Sequence, residues 1–362
     1  MRRSHFAAFA PICPRCAGAG AGAHKLRLAE ILAERDGDVL QGILHCPNPE
    51  CVLEFPIVDG IPLILPDPRA ALAERGVEWL LREDLDPRLE SLLGDALGPG
   101  SWLDATRQTV STYAWDGWAD CDPEERSLPG GPEPGAARRC LARLGELAGA
   151  ATPAGRVLDL GCGVGRTSFD LAARDPAALV LGIDMQPALL RLARHALGGR
   201  IAYPRRRIGV VYDRREFSVA PAGAERVDFW AADAQALPFA AGVAGLAVGL
   251  NLLDCVPEPA RLLAEMARAV APGGQVWLAC PYDWSTRATP METWIGGHSQ
   301  RADHAGAAEE FLRTLLTAGA HPRAISGVRI AGEDTAFPWR TRLHDRASVS
   351  YLTHLLALAR TE

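Results

Sequence analysis

The chain has 362 residues, 48% of them hydrophobic and 23% charged, with 36 Gly and 27 Pro, a composition that excludes a disordered, collagen-like or disulfide-scaffold protein. A formal net charge of −6 argues against a globally basic nucleic-acid surface, and Lys25 is the only lysine, so nearly all positive charge is arginine. Phe6 to Ile12 is interrupted by Pro11 and too short for a signal core, and Val243 to Leu253 falls well short of the ~20 apolar residues of a membrane helix; no membrane partner and a reducing, cytoplasmic setting are expected.

The length suggests two units, or an enzyme domain with an appendage. Taken in chain order, Cys13-Pro14-Arg15-Cys16 and Cys46-Pro47-Asn48-Pro49-Glu50-Cys51 form two cysteine pairs. Two such knuckles suit a structural Zn2+ held by Cys13, Cys16, Cys46 and Cys51, because four thiolates close a tetrahedral shell; two unrelated pairs of free thiols is the alternative. Leu28, Ile31 and Leu32 predict a helix over Leu26 to Arg35. Phe55 to Leu65 reads as strand, Asp59-Gly60 turn, strand. From about residue 10 to 66 this arrangement resembles the small zinc-ribbon proteins that partner tRNA and translation-factor methyltransferases, which implies an activating or solubilising module fused in cis.

Leu72, Val77, Leu80, Leu81, Leu85, Leu89, Leu92 and Leu93 recur at roughly helical spacing, and Arg138 to Leu147 predicts a further helix. Tyr113, Trp115 and Trp118 cluster before the Pro/Gly-rich loop at Asp122 to Gly135; they either roof a site or pack in the core. The expected division is a zinc ribbon at 1–68, a helical linker or lid at 69–150 and a catalytic domain at 151–362.

Arg156 to Leu160 is an aliphatic strand running into Gly161-Cys162-Gly163-Val164-Gly165 and then an amphipathic helix. Glycines remove Cβ atoms where the backbone turns sharply and a ligand lies against the main chain. Alone, such a turn also suits a dinucleotide. Leu179 to Asp184 is a second buried-type strand whose terminal acid can take both hydroxyls of a ribose. Val227 to Ala231 leads to Asp233, able to accept from an adenine amino group, and Gly245 to Leu250 leads to Asn251 and Asp254. With a helix over Arg261 to Val270 and a strand over Gln275 to Ala279, the series alternates β and α. It predicts an α/β, doubly wound, mostly parallel sheet with its crevice at the strand carboxyl ends.

From about Arg156 to Ala279 these residues resemble the Rossmann-like (class I) S-adenosylmethionine-dependent methyltransferases. The resemblance implies that Gly161, Gly163 and the adjoining Cys162 and Gly165 cradle the cofactor's amino-acid part, with Asp159 near its ammonium. It places Asp184 and Met185 at the ribose, Asp233 and Ala234 at the adenine, and Asn251 between cofactor and acceptor.

Pro281-Tyr282-Asp283-Trp284-Ser285 and Thr289-Pro290-Met291-Glu292-Thr293-Trp294-Ile295-Gly296-Gly297 are more distinctive. With Gly165 to Ala172 and Asn251 to Asp254 they resemble the methyltransferase half of ovothiol synthase, over about Ala154 to Leu316. That family usually has alanine where Gly163 stands, and its iron-dependent sulfur-transfer portion has no counterpart here. The resemblance implies N-methylation of the imidazole of a thiol-bearing histidine, a small-molecule acceptor. Tyr282 and Trp284 offer flat faces for such a ring, Asp283 or Asp254 can pair with an ammonium or orient an N–H, and Asn251 faces the expected crevice. Core packing and helix capping are the alternatives for Trp284 and Asp254.

Arg200 to Ala224 is an insertion carrying Tyr203, Arg205, Arg206, Arg207, Tyr212, Arg214 and Arg215. It reads as a lid or hairpin, with RNA contact as the competing use and DNA not expected. An RNA or protein methyltransferase that recognises its target through the ribbon is accordingly the alternative function. The tail predicts a helix over Glu309 to Thr317, an antiparallel pair over His321 to Ile330 and Thr335 to Arg342, and a last helix over Val349 to Ala359.

Overall fold

A computed structural model describes residues 1–68, 70, 71, 94, 96–126, 129–149 and 155–361. The helix expected from Leu72, Val77, Leu80, Leu81, Leu85, Leu89, Leu92 and Leu93 lies outside the described residues. The chain opens with short helices α1 (Arg3–Phe9) and α2 (Pro14–Gly18), then strands β1 (Arg27–Arg35), β2 (Asp38–His45), β3 (Glu54–Val58) and β4 (Ile61–Ile64). Helices α3 (Trp102–Trp118) and α4 (Ala136–Ala148) precede β5 (Arg156–Leu160), α5 (Arg166–Arg174), β6 (Leu179–Asp184) and α6 (Pro187–Leu197). A hairpin of β7 (Arg200–Ile208) and β8 (Val211–Ser218) leads to β9 (Val227–Ala232), β10 (Ala244–Leu250), α7 (Pro259–Ala269) and β11 (Val270–Cys280). Helix α8 (Ala308–Leu315) and strands β12 (Val328–His344) and β13 (Ala347–Arg360) finish it.

The sheet order is β1-β2-β3-β4-β9-β6-β5-β10-β11-β13-β12. Strands β4, β9, β6, β5, β10 and β11 run parallel, whereas β13 inserts antiparallel between β11 and β12. This is the Rossmann-like, mostly parallel architecture read from the sequence. Chain order reverses between β5 and β10, so the crevice for a ligand opens there, at their carboxyl ends. Each face of the sheet carries its own apolar layer: α3, α4, α5 and α6 cover one, while α7, α8 and the amino-terminal Phe9 cover the other. Because the central strands are covered on both faces, β9 is buried along its whole length.

Two expected helices are strands. Leu26 to Arg35 pairs with β2 as a sheet edge, joined by Asp36-Gly37 with φ of 50° and 78°, the two positive values a tight hairpin turn demands. Only its start reaches the core, where Leu26 is buried and Leu28 packs; Ile31 and Leu32 are 41% and 64% exposed. Val349 to Ala359 is β13, whose Thr353–Leu358 run is buried because β11 and β12 flank it. A continuous apolar run cannot by itself distinguish a covered strand from a helix.

The amino-terminal strands are continuous with the central sheet through Leu63↔Ala231 and Ile64↔Ala232. Fully buried Asp228 ties them further, accepting from Arg2 N–H at 2.8 Å, Arg194 at 2.8 Å and Trp230 Nε1 at 2.9 Å. The inserted segment is a hairpin whose arginines are spent within the chain: Arg205 on Glu125 at 2.7 Å, Arg207 on Asp213 and Arg215 on Asp122, both at 2.6 Å.

Candidate active site

After Leu160 the chain must reverse into α5 within five residues. Gly161, Gly163 and Gly165 do this with φ of 69°, 52° and 80°. A Cβ on Gly165 would lie 2.6 Å from Phe229, whereas one on Gly163 would meet nothing nearer than Tyr113 at 3.9 Å. Gly163 therefore faces open space. The turn is pinned to β6: Gly161 and Cys162 N–H donate to Ile183 O at 2.8 and 3.0 Å, and Gly163 N–H donates to Asp184 Oδ2 at 2.9 Å. Asp184 Oδ1 accepts from Gln186 N–H at 2.8 Å, beside the half-exposed Met185. Behind the turn, buried Asp159 accepts from Thr167 and Ser168 hydroxyls, both at 2.6 Å. Burial pushes its pKa up to about 6 despite those donors. At the end of β9, Asp233 accepts from Gln235 N–H at 2.8 Å, and Ala234 is buried.

Across the crevice, Asn251 and Tyr282 follow neighbouring strands and both sit in the left-handed region, φ 50° and 57°. Non-glycine residues hold that conformation at a cost, and such strain concentrates at functional sites. Asn251 donates its N–H to Ala279 O at 2.8 Å, while its buried Oδ1 has no partner. Asp254, 3% exposed, accepts from Asp283 N–H at 2.8 Å, and Asp283 accepts from Tyr351 Oη at 2.8 Å. Burial raises the Asp254 pKa, and burial with Asp254 beside it raises the Cys255 thiol to about 12. Tyr113 completes the cluster from α3. The residue is 46% exposed, and its Cδ1 is the nearest atom to the open side of Gly163, as befits a group lining a cleft. Burial raises the pKa of the Tyr113 phenol, and the Asp184 and Asp254 carboxylates, with the Cys255 thiol and the Tyr351 phenol, add to the rise.

The structure brings the glycine turn, Asp184, Asn251 and Asp254 to one crevice. Tyr282 and Trp284 stand at its side, their rings 6.3 Å apart. The Tyr282 hydroxyl is engaged elsewhere, 2.7 Å from His354 Nδ1, and His354 Nε2 lies 2.7 Å from Glu333. Trp284 stacks on Trp294 at 6.0 Å. Trp115 and Trp118 are buried in the core, and Trp118 Nε1 donates to Val164 O at 3.1 Å, so this helix clamps the glycine turn.

A family profile described as "Methyltransferase domain" matches residues 158–278. The trans-aconitate 2-methyltransferase of Azoarcus sp. is 28% identical over 252 residues, 57% of this chain and 86% of the relative. The ubiquinone biosynthesis O-methyltransferase of Xylella fastidiosa is 30% identical over 210 residues, 54% of this chain and 72% of the relative. The chain belongs to the S-adenosylmethionine-dependent methyltransferases. Among solved structures, phosphoethanolamine N-methyltransferase 2 of Haemonchus contortus aligns with TM-score 0.32 at 20% identity, over 41% of the methyltransferase and 29% of that chain.

The residues present fit the methyltransferase's cofactor: an open cradle at Gly163, carboxylates at the ends of β6 and β9, and the unpartnered Asn251 Oδ1. Away from the crevice, the sulfurs of Cys13, Cys16, Cys46 and Cys51 all lie within 4.8 Å of one another. The Cys13–Cys51 and Cys16–Cys46 pairs are 3.8 Å apart. Zn–S bonds of ~2.3 Å would set tetrahedral sulfurs ~3.8 Å apart, so the cluster is compatible with zinc. Among the described residues no helix is long and apolar enough to cross a membrane.

Tyr351 and Cys255 were missed by sequence reasoning. Tyr351 ends the stretch Ala347-Ser348-Val349-Ser350-Tyr351, where serines alternate with apolar residues at the strand period, and that alternation was its signal. Cys255 carries no local signal, because its place depends on which strands the loop after β10 faces.

Proposed function

We propose that this methyltransferase N-methylates a small imidazole or amine acceptor, such as a thiol-bearing histidine derivative. The observation that carries the reading is the acid-and-phenol lining of the crevice: Asp254, Asp283, Tyr113 and Tyr351 suit a nitrogen base far better than a carboxylate. S-adenosylmethionine, when bound, supplies an electrophilic sulfonium methyl. Gly161 and Gly163 with Cys162 and Gly165 hold its amino-acid part, Asp184 and Met185 its ribose, Asp233 and Ala234 its adenine. The chain's own contribution to rate is then positioning, worth up to ~7–11 kcal/mol when reacting atoms are held in line. Asn251 Oδ1 and Asp254 Oδ1 fix the acceptor's N–H groups, while Tyr282 and Trp284 form a wall whose orientation the His354 contact fixes. Asp254 Oδ1, which accepts only a long contact from the Cys255 thiol at 3.7 Å, is the oxygen left to take the acceptor's proton.

The residue 1–68 segment serves as a structural zinc module, its four thiols closing the shell, and the nine free cysteines suit a reducing cytoplasm. A macromolecular acceptor such as RNA is the competing reading, and the internal pairing of Arg205, Arg207 and Arg215 weighs against it.

The test is transfer of a labelled methyl group to thiol-bearing histidines, histamine-like amines, a catechol, trans-aconitate and total tRNA in parallel. Signal is expected with the nitrogen acceptors, falling at least 100-fold in Asp254→Asn with cofactor affinity retained. Transfer confined to tRNA, the catechol or trans-aconitate would overturn the reading.

A further inference from the structure

A second cavity, of about 240 Å3, lies between α3, Glu125 and Arg126, Pro129 to Pro132, β7 and the turn joining β12 to β13. It is separate from the crevice. Trp115 lines it two positions along α3 from Tyr113, ~200° around the helix. The β13 residues bordering it, Ala347 and Ser348, precede Tyr351 by at least three positions, ~10 Å along the strand.

Its lining includes four arginines, Arg126, Arg205, Arg342 and Arg346, against two carboxylates, Glu125 and Asp345. Both carboxylates are already engaged. Glu125 takes both prongs of Arg205 at 2.7 and 2.9 Å, and Asp345 Oδ1 accepts from Arg205 at 2.8 Å and Arg342 at 2.7 Å. Arg342 is only 5% exposed, yet its Nη1 has no partner, and neither has the indole N–H of Trp115, 1% exposed. Tyr203, set among Glu125, Arg205 and Arg342, likewise has a buried hydroxyl without a partner. Buried donors are nearly always satisfied, so the two orphaned in the wall of this cationic cavity, both closed to solvent as they stand, call for an acceptor that a small turn of either side chain would reach. Burial, with Arg205 nearby, also presses the Arg342 pKa down, a strain that a negative charge would relieve.

We propose that this cavity is a binding site for a small oxyanion, a carboxylate or phosphate group whose several lone pairs take the unpartnered Arg342 and Trp115 donors while Arg346 closes over it from the mouth. The donors lie too deep for the backbone of a polymer. Planar, fork-like recognition by Arg342 is the geometry that oxyanions favour.

Calorimetry on the full chain with inorganic phosphate and with citrate, at matched ionic strength against chloride, tests this. Saturable binding of either is expected, at least tenfold tighter than chloride, and the stronger of the two identifies the source of the oxyanion. Arg342→Lys, which keeps the charge but removes the fork, and Arg346→Ala at the exposed mouth should each weaken it at least fivefold, with S-adenosylmethionine affinity unchanged. Should Arg342→Lys fail to fold, Arg346→Ala decides alone. The proposal fails if neither anion binds, if binding is indifferent to the substitutions, or if single-stranded RNA binds there while both small anions are inert.

Discussion

Replacing Gly165 with alanine and Gly163 with alanine changes the same atoms in the same turn, yet the consequences should differ sharply. Both positions have left-handed φ, 80° and 52°, so each substitution incurs the ~1–2 kcal/mol that a Cβ costs in that region. At Gly163 little else is added, because the nearest atom to the new methyl is Tyr113 Cδ1 at 3.9 Å. At Gly165 the methyl lands 2.6 Å from Phe229 Cζ and 2.8 Å from Ala193 Cβ. Phe229 is fully buried and packed edge-on against Phe169 at 5.7 Å, so it has no room to yield. Overpacking of that kind costs a further ~1–3 kcal/mol. Gly165→Ala should therefore be the less stable by ~2 kcal/mol, a gap of ~3 °C in melting temperature for a chain of 362 residues. Thermal unfolding of the two variants beside the parent chain measures it. Equal destabilisation of the two variants, or a larger loss at Gly163, would refute the assignment of Gly163 to the open side of the turn and Gly165 to the packed side.

Two further outcomes are expected. Asp159 has its pKa raised to about 6 by burial, so in the unliganded chain it carries a charge above that pH and loses it below. If its carboxylate faces the cofactor's ammonium, affinity should be steady above pH 6 and fall about tenfold per unit below it, with Asp159→Asn weaker at neutral pH and flat across the range; calorimetry in a pH series decides, and a wild-type profile flat through pH 5 contradicts it. Cys13→Ser should lose the one equivalent of zinc measured by elemental analysis and melt earlier, since a structural site contributes its binding free energy to folding. A fully folded, metal-free parent would count against zinc.

The glycine turn, the strand-end acids and the cysteine pairs were legible because each is local: a turn that needs positive φ, an acid one residue past a buried strand, two thiols on a tight loop. The Rossmann-like alternation followed from the same period-and-punctuation signals. The long-range pairings were not legible. That Leu26 to Arg35 lies flat as a sheet edge depends on β2 arriving to pair with it, and that Val349 to Ala359 is a strand depends on β11 and β12 standing on either side. The same holds for the site. Asn251 and Asp254 could be placed by their position after a strand, but Tyr351 reaches Asp283 from 68 residues away, and Trp115 meets Arg342 across one cavity only because α3, β7 and the last hairpin converge. Sequence determines which segments can be strand, turn or helix through local sterics and apolar period. Which side chains then share a cleft is decided by packing, where contacts between distant segments compete and only the folded chain has settled them.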